Sequence, residues 1–251
     1  MTRKGICDII DRDQAKGAGR RTELKMKRYE THLHTLPVSK CAKFTVRETL
    51  EFYKSLGYEG VFITNHFIDG NIGIDKARPF EEKIDFYFSD YEEGVRIGKE
   101  IGISVFLGIE MSYKGTDFLV YGMDKEYCLA HPEMEQMKKS ALLPMLMNEG
   151  FLVIQAHPFR QASYIDHIRL FPAGVHGIEV YNACRTELEN EMAEKYAEHY
   201  GFIRFAGSDN HVAHLQKRFG GMQSETPIID ERDLVRRVKD GSMTPFSFEI
   251  E

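Results

Sequence analysis

The sequence predicts an α/β fold in which parallel strands, joined by helices, form a closed or nearly closed barrel. Apolar strand-like runs alternate with helical patterns along the chain, an order typical of parallel strands with right-handed crossovers. Side chains able to bind metal follow several of these strands, and the carboxyl ends of barrel strands open onto one face. A chain of 251 residues with 42% hydrophobic content can bury one large core. We therefore expect one barrel domain with a metal site at that face.

The elements of the first half follow in chain order. A short strand-like segment leads into ETHLHT, and Thr45 with Glu48 has the spacing of a capping box at the start of a helix. GVFIT is the next strand, and residues 78–90 are expected to connect it to the helix YEEGVRIGKEIG. ISVFLGIE and DFLVYGM are two further strands.

The second half repeats the alternation. Residues 133–149 form a Met-rich helical pattern, in which Pro144 is expected to introduce a kink or to start a second piece. The remaining elements are the strands FLVIQAH and HGIEVYN, the helix ELENEMAEKYAEHYG, the strand FIRFAG, the short helix DLVRRVKDG and the strand FSFEI.

Charge divides the chain into a basic N-terminal leader, residues 1–28, and a barrel domain, residues 29–251. The leader holds nine Lys or Arg against four Asp or Glu, a balance of +5, which leaves −11 for the rest of a chain of net charge −6. We interpret the leader as a solvated, partly mobile tail, because KGAGRR carries no aromatic residue for base stacking. The acidic body makes nucleic acid a less favoured partner than a small molecule.

The remaining composition predicts a cytoplasmic protein with no membrane partner. No apolar run approaches the roughly 20 residues that span a bilayer, and MTRKGICDIIDRD lacks the features of a signal peptide. Cys7, Cys41, Cys128 and Cys184 are far apart without a C-x-x-C pair, which is typical of reduced thiols. The sequence leaves the oligomeric state open.

Seven side chains at predicted strand ends are candidate metal ligands. They are His32, His34, His66, Glu110, His157, Asp209 and His211. Residues two apart in a strand point to the same side, so His32 and His34 can face one ion, and Asp209 with His211 repeats this spacing. Carboxylate and imidazole ligands together are typical of Zn, Mn or Fe sites.

The other three candidates depend on their position in the chain. Glu110 ends the apolar run FLGIE, where a carboxylate is costly to bury unless it is paired or bound to metal. His66 follows FITN, and His157 follows VIQA and precedes a proline. Either histidine alone is more often a core or surface residue, and their shared placement at strand ends is the argument for a metal site. The chain contains neither G-x-x-x-x-G-K nor G-x-G-x-x-G, which argues against nucleotide binding by a glycine loop.

The motifs H-x-H, T-N-H, G-I-E, A-H-P-F and S-D-N-H, spread over residues 29–226, resemble those of the PHP family, named for polymerase and histidinol phosphatase. The resemblance implies a distorted, TIM-like (β/α)7 barrel that binds two or three divalent ions (Zn, Mn or Fe) and hydrolyses phosphate esters. It implies one ion on His32, His34, Glu110 and Asp209, a second on Glu110 and His157, and a third on His66 and His211.

The reaction implied is hydrolysis of a phosphate monoester or diester of a small metabolite or nucleotide by a metal-activated hydroxide. His211 or His66, where not committed to metal, would protonate the leaving oxygen. Arg160, three residues after His157, would bind the phosphate with its guanidinium fork. Lys40 is a lesser candidate for similar work as a point charge, and the sequence leaves its role open.

The chain departs from the family pattern at two places. Asn65 precedes His66 where many members have Asp, and Ser39 and Lys40, with Cys41 next, stand where many place an Asp or His. Either Cys41 substitutes as a soft ligand or the third site is weak, and the weak site is the favoured expectation.

Four further polar residues are weighed as lesser candidates. His131 is the one other histidine between Glu110 and His157, and it is not expected to bind metal. Glu179 and Asn182 end a strand at the same face, where they either orient a ligand or are ordinary strand-end residues. Cys184 is interpreted as structural.

Two other functional classes remain alongside the phosphoesterase. One is a nuclease-like activity on nucleic acid ends, which a continuous basic groove would favour. The other is a noncatalytic, metal-binding regulatory barrel. Metal content, together with hydrolysis in added Mn or Zn, separates the second class from an enzyme.

Overall fold

The computed structural model describes residues 26–251. Residues 1–25, most of the predicted leader, lie outside the described residues. Lys27 and Arg28, which the charge pattern assigned to the leader, are the first two residues of strand β1.

One mixed sheet of nine strands forms the centre of the fold. The strands are β1 (Lys27–Glu30), β2 (Gly60–Ile63), β3 (Ser104–Tyr113), β4 (Thr116–Tyr121), β5 (Leu152–Ala156), β6 (Gly177–Asn182), β7 (Ile203–Gly207), β8 (Arg218–Ser224) and β9 (Thr244–Glu249). Their order is β7-β6-β5-β4-β3-β2-β1-β8-β9.

The sheet curls into a nearly closed barrel. Beyond the carboxyl ends of β1 and β7, Leu33 forms a parallel bridge with Asn210, and the His34 N–H donates to the Asn210 carbonyl at 3.2 Å. Strand β7, which is paired with β6 on one side, lies against β8 and β9 on its other side. The mixed α/β barrel-like fold is as predicted. The predicted count of seven strand–helix units is not confirmed, because a tight hairpin and no helix joins β3 to β4.

The prediction that all strands are parallel is wrong for two strands, β4 and β8. Strand β4 runs antiparallel to both of its neighbours, β3 and β5, and β8 is antiparallel to β1 and β9. The pairs β1–β2, β2–β3, β5–β6 and β6–β7 are parallel. The amino end of β4 therefore lies at the same rim as the carboxyl ends of β3 and β5.

Six α-helices accompany the sheet. They are α1 (Val46–Ser55), α2 (Phe80–Ile101), α3 (Lys125–Ala130), α4 (Lys139–Asn148), α5 (Glu187–Tyr200) and α6 (Glu231–Asp240). The capping box of α1 is present as predicted: the Thr45 side chain accepts from the Glu48 N–H, and the Glu48 carboxylate accepts from the Thr45 N–H.

Helix α2 and the Met-rich segment differ from the sequence-based expectation. Helix α2 begins at Phe80, not after residue 90, and the buried Ile84, Tyr87 and Phe88 carry the helical spacing that identifies its first turns. The Met-rich segment is divided into a short 3-10 helix, Pro132–Glu135, and α4, which contains Pro144 in its interior.

Strand β8 was not predicted, because its sequence RFGGMQS has no clear alternation. The strand passes so close to β1 that a Cβ at Gly221 would overlap the carbonyl oxygen of Tyr29. A glycine in a strand weakens the sequence signal and permits this approach.

Alternate residues of the strands fill the barrel interior. Phe62, Leu119, Ile154 and Phe205 are all buried and belong to one apolar cluster, to which α6 contributes Leu234. The intervening residues pack outward against the helices, as expected from the two-residue period of a strand. This core supports the functional rim from below. Within residues 26–251 no helix has both the length and the apolar character needed to cross a membrane.

Replacing Thr45 with Ala should lower the free energy of unfolding by about 1 kcal/mol, because the first turn of α1 loses the acceptor for a backbone N–H. Urea denaturation measures the change. Thr45→Ser is the control, since it keeps the hydroxyl. A loss of equal size in Thr45→Ser would contradict the capping explanation.

Candidate metal centre

The seven predicted ligands converge at one rim of the barrel. They join four overlapping groups whose ligand atoms lie within 4.8 Å of one another, and two further residues, Cys41 and Asp117, complete these groups. The groups are His32–His34–Glu110, His32–His157–Asp209, Glu110–Asp117–His157 and His34–Cys41–His66–His211.

The tightest arrangement surrounds the paired histidines after β1. The His32 Nε2 atom is 3.1 Å from Glu110 Oε1 and 3.5 Å from Asp209 Oδ1. The His34 Nε2 atom is 3.4 Å from the same Asp209 oxygen and 3.5 Å from Glu110 Oε2. Ligands bound at 2.0–2.2 Å to one tetrahedral ion are separated by about 3.3–3.5 Å. His32, His34 and Glu110 thus form one compact group, and Asp209 joins His32 and His157 in another. The four residues that the motifs imply for the first ion therefore lie together but are divided between two overlapping groups.

A second group contains a residue that sequence reasoning missed. The His157 Nε2 atom is 3.5 Å from Glu110 Oε1 and 3.7 Å from Asp117 Oδ2. Asp117 is the second residue of β4, opposite Ala156 of β5. The sequence pattern points only to residues at the carboxyl ends of strands. Asp117 lies near the amino end of β4 and reaches the same rim because β4 is antiparallel. The signal available in the sequence was a carboxylate bounding the apolar run FLVY.

The third group lies at the outer edge of the rim. His34, Cys41, His66 and His211 each offer one ligand atom there. The His66 Nδ1 atom also lies 2.5 Å from Glu110 Oε2, which links this group to the first. Cys41 is half-buried and lines the cavity above the rim.

Hydrogen bonds fix which ring nitrogen of each histidine is free. The His32 Nδ1–H donates to Glu179 Oε1 at 2.8 Å, and the His211 Nδ1–H donates to the Asp209 carbonyl at 2.7 Å. The Nδ1 atoms of both rings are thus engaged, and a cation would bind through Nε2, which in His32 faces Glu110 Oε1 at 3.1 Å. Such a partner on the far nitrogen typically fixes the tautomer and ring orientation of a metal-binding histidine.

The tautomer of His34 follows from a longer chain of bonds. The Asn65 Oδ1 atom accepts from the Thr35 N–H at 2.7 Å, which identifies it as the oxygen. The Ser39 hydroxyl must then donate to it at 2.8 Å. Having spent its one hydrogen, the Ser39 oxygen accepts from His34 Nδ1–H at 3.1 Å. Nε2 is therefore the one free nitrogen of His34, and Asn65 acts by ordering this network.

Buried carboxylates hold the ligand segments in place. Glu30, at the end of β1, accepts the N–H groups of Thr31, His32 and Ser208 on one oxygen, each at 2.9 Å. Burial raises the pKa of Glu30 to about 7. Sequence reasoning did not single out Glu30, since nothing in KRYE distinguishes it from a surface residue.

Glu179 performs the role that sequence reasoning left open. Besides His32, it accepts the His157 N–H and the Asn182 side-chain amide, both at 2.9 Å. The Asn182 amide also donates to Asp209 Oδ2 at 3.2 Å. Glu179 and Asn182 thus orient candidate ligands and do not join the cation groups themselves.

The backbone is strained at two candidate ligands. His157 has φ +26° and Asp209 has φ +53°, a left-handed region that side chains other than glycine rarely adopt. Such conformations persist where the surroundings enforce them and concentrate at functional sites. Next to Asp209, a Cβ on Gly207 would overlap His32, so this close approach requires glycine.

Several buried polar atoms at the rim lack a hydrogen-bond partner. They are His34 Nε2, His66 Nδ1, Glu110 Oε2, His157 Nδ1 and Asp209 Oδ1. Leaving so many buried donors and acceptors unsatisfied is costly. Three of these residues, His34, Glu110 and His157, belong to two of the cation groups, and His66 and Asp209 belong to one each. The donor set therefore fits divalent cations of the Zn, Mn or Fe class.

The electrostatics of the rim favour the charged forms of Glu110 and Asp209, whereas burial raises the pKa of Asp117. Burial would raise the pKa of Glu110, but the neighbouring imidazoles, led by His66, hold it well below its usual value. Burial likewise opposes ionisation of Asp209, and His32 foremost lowers its pKa well below normal. For His32 itself, burial disfavours the charged form, yet the carboxylates around it raise its pKa well above the usual value.

Cys41 and His211 form a polar pair at the outer edge. Burial would raise the pKa of the Cys41 thiol, but contacts with His211 and His66 lower it from 9.0 to about 6. Burial would lower the pKa of His211, while contacts with Cys184 and Cys41 raise it to about 10. Cys184, interpreted from sequence as structural, is exposed and donates from Sγ to the Asp209 carbonyl at 3.2 Å.

Above the rim lies a cavity of about 370 Å³, lined by two arginines and by the candidate ligands other than the buried His32 and His34. Arg160 donates from Nη1 to Asp117 Oδ2 at 3.3 Å and also bonds the Tyr164 hydroxyl. Arg185, which sequence reasoning did not select, lines the cavity too. The Nε atoms of both arginines are buried without a partner. The rim thus combines an acidic floor with cationic walls.

Two weaker candidates lie elsewhere. Lys40 is exposed and does not line this cavity. The side chain of His131 contacts Glu133 and Tyr127 and joins none of the cation groups of the described chain.

Three solved structures are similar to this one. A two-domain protein from Bacteroides vulgatus, described as containing a predicted PHP-like metal-dependent phosphoesterase, has a TM-score of 0.62 at 14% identity, over 92% of this chain and 69% of that chain. PsfC from Pseudomonas syringae has a TM-score of 0.56 at 18% identity, over 90% of this chain and 92% of its own. An amidohydrolase from Chromobacterium violaceum, with bound sulfate and no metal, has a TM-score of 0.52 at 12% identity, over 86% of this chain and 97% of its own.

No protein-family model and no curated protein matches the sequence. The structural likeness shows that the chain has the PHP-like fold that its motifs predict.

Replacing Glu179 with Gln should weaken Zn or Mn binding by roughly 10- to 100-fold, the usual effect of removing a group that orients a ligand. Glu179 accepts hydrogen bonds on both oxygens, whereas the amide nitrogen of Gln would face a donor. Calorimetric titration with metal measures the affinity. Glu187→Gln, an exposed change at the start of α5, is the control, and equal affinity in the two variants would contradict this role.

Proposed function

We propose that this protein is a metal-dependent hydrolase that cleaves phosphate esters of small molecules. The supporting observation is the set of unpartnered, buried imidazole and carboxylate atoms beneath a cavity with two arginines in its wall. A substrate anion entering the cavity would meet the arginine side chains first and the cation groups below them.

Two or three divalent ions fit the donor sets. His32, His34, Glu110 and Asp209 would hold the first ion, and Glu110, Asp117 and His157 the second. When bound, such ions supply Lewis acidity and lower the pKa of water toward neutrality. Glu110 can belong to both sets because its Oε2 atom lies 3.5 Å from His34 of the first set and its Oε1 atom lies 3.5 Å from His157 of the second.

Arg160 and Arg185 are the proposed anion-binding residues. The guanidinium of Arg160 lies over the Tyr164 ring, 5.6 Å from the ring centroid, and its Nη1 atom reaches Asp117. Its Nε atom has no partner, and the side chain lines the cavity, where a guanidinium can bind phosphate oxygens in pairs. Lys40 is not proposed for this role because it does not line the cavity.

His66 and His211 have one of two roles in the reaction. Each can hold a third ion, or it can protonate the leaving oxygen as a general acid. The Nδ1–H of His211 is committed to the Asp209 carbonyl, so a transferable proton would sit on Nε2. A nitrogen that binds a cation cannot also donate a proton, so the two roles exclude each other.

Cavity size and charge support a small substrate over the ends of a nucleic acid. The cavity has a volume of about 370 Å³, and a volume in this range suits a small ligand. Residues 29–251 carry a net charge of −11, which opposes binding of a long polyanion. We therefore favour a phosphorylated small molecule over the nuclease-like alternative.

Replacing Asp209 with Ala should lower kcat/KM for p-nitrophenyl phosphate, in the presence of Mn or Zn, by at least about 100-fold, the order expected when one charge-stabilising group leaves a preorganised site. Asp240→Ala, an exposed change at the end of α6, should retain activity.

Three results would count against this function. Unchanged turnover in Asp209→Ala would show that the rim is not the active site. Metal binding without hydrolysis by the wild-type protein would favour the noncatalytic barrel. Hydrolysis of amides but not of phosphate esters would show that the proposed substrate class is wrong.

Replacing Arg160 with Ala should raise KM for phosphate substrates about 10- to 100-fold, because one charge-assisted hydrogen bond is worth roughly 1.5–3 kcal/mol. Steady-state kinetics measure KM and kcat separately. Arg204→Ala is the matched control, since Arg204 is exposed on β7 and pairs with Glu194. Equal KM values in the two variants would contradict the anion-binding role.

A further inference from the structure

We propose that Cys41 is a metal ligand, and that its sulfur, together with His66 and His211, holds a zinc-class cation at the outer edge of the rim. The inference rests on the proposed metal centre and specifies a site within it. The favoured expectation from sequence was a weak third site. The proposal adopts the other alternative, in which Cys41 is a soft metal ligand.

Geometry brings the three ligands together with His34. One ligand atom from each of the four residues lies within 4.8 Å of every other. The imidazole of His211 stacks on that of His34 with ring centroids 4.2 Å apart, and His66 lies 4.5 Å from His34. The Nε2 atom of His34 is buried without a hydrogen-bond partner, and the Nδ1 atom of His66 faces Glu110 Oε2 at 2.5 Å. Cys41 is therefore one member of a converging set of four potential ligand atoms.

The loop that carries Cys41 is held on both sides. The Lys40 N–H donates to the Asn71 carbonyl at 3.0 Å, and the Ala42 N–H donates to the Ser39 carbonyl at 3.1 Å. The Lys43 N–H donates to the carbonyl of His211 itself at 2.8 Å. The sulfur is thus positioned against His211 by the backbone, as a preorganised ligand requires.

His34 cannot serve two ions at once. Its one free nitrogen, Nε2, already lies 3.4 Å from Asp209 Oδ1 and 3.5 Å from Glu110 Oε2 in the first group. With His34 committed there, the outer cation has three protein ligands and one open position toward the cavity. Three ligands with an open fourth position are typical of a catalytic rather than a structural zinc site.

Sulfur sets this group apart from the other two. The first and second groups offer carboxylate oxygens and imidazoles, which suit Mn, Fe and Zn alike. A thiolate favours zinc and other soft or borderline ions over manganese. The outer position should therefore select zinc where the inner positions do not. His66 and His211 then act as ligands and not as proton donors.

Cobalt substitution tests this assignment by absorption. The full-length protein, stripped of metal and titrated with Co²⁺ alone, should show a sulfur-to-cobalt charge-transfer band in the near ultraviolet. Cys41→Ser should lose this band and bind one fewer equivalent of metal per chain. Cys184→Ser should keep it, because Cys184 is exposed and joins no cation group of the described chain. Cys7 is present in every variant, so it cannot account for a difference between them.

A second variant, Cys41→Asp, separates the loss of sulfur from misfolding. Cys41→Asp keeps an anionic ligand without sulfur, so it should bind the full number of ions, lack the band, and lose the zinc preference over manganese in a competition assay. Cobalt bound without a band in the wild type, or a band lost in Cys184→Ser and kept in Cys41→Ser, would overturn the assignment and leave the proposed hydrolase standing. Failure of the wild type to bind cobalt at all would overturn both.

Discussion

The structure depends on the compensation of five carboxylates that are buried at one end of the barrel. Glu30, Glu110, Asp117, Glu179 and Asp209 are each at most 4% exposed. An unpaired buried charge costs several kcal/mol, so each carboxylate requires partners. Glu30 accepts three N–H groups on Oε1 and keeps Oε2 without a partner, and Glu179 accepts N–H groups on both oxygens. Glu110 and Asp209 face imidazoles and retain oxygens without a partner. The first kind of compensation shapes the loops, and the second leaves room for cations.

This division explains how the rim is held rigid. Glu30 binds three backbone N–H groups from two separate segments, and these segments carry His32 and Asp209. Glu179 then holds the His32 ring and the backbone of His157. Hydrogen bonds therefore hold His32, His157 and the segment that carries Asp209 without any ion. Preorganisation of this kind reduces the cost of assembling a site, and it makes the left-handed conformations of His157 and Asp209 tolerable.

The sequence predicted the part of the site that depends on parallel strands. Carboxyl ends of parallel strands share one face, so His32, His66 and His157 could be grouped without coordinates. Asp117 could not be found in this way, because it reaches the rim only through the antiparallel direction of β4. Glu30 could not be found either, since its role arises from N–H groups that come together in three dimensions. Local patterns identify strand ends, whereas the direction of each strand and the partners of a buried acid depend on the complete fold.

The shared use of Asp117 connects cation binding with anion binding. Its Oδ2 atom lies 3.7 Å from His157 Nε2 and 3.3 Å from Arg160 Nη1. A cation in the second group would compete with the guanidinium for this oxygen, because both are positive and both need the same lone pairs. A cation held by Asp117 and His157 would take over part of the charge compensation that Arg160 now gives this carboxylate. The Nη1–H donor of Arg160 would then be available to a phosphate oxygen, and the guanidinium would still lie in the cavity wall.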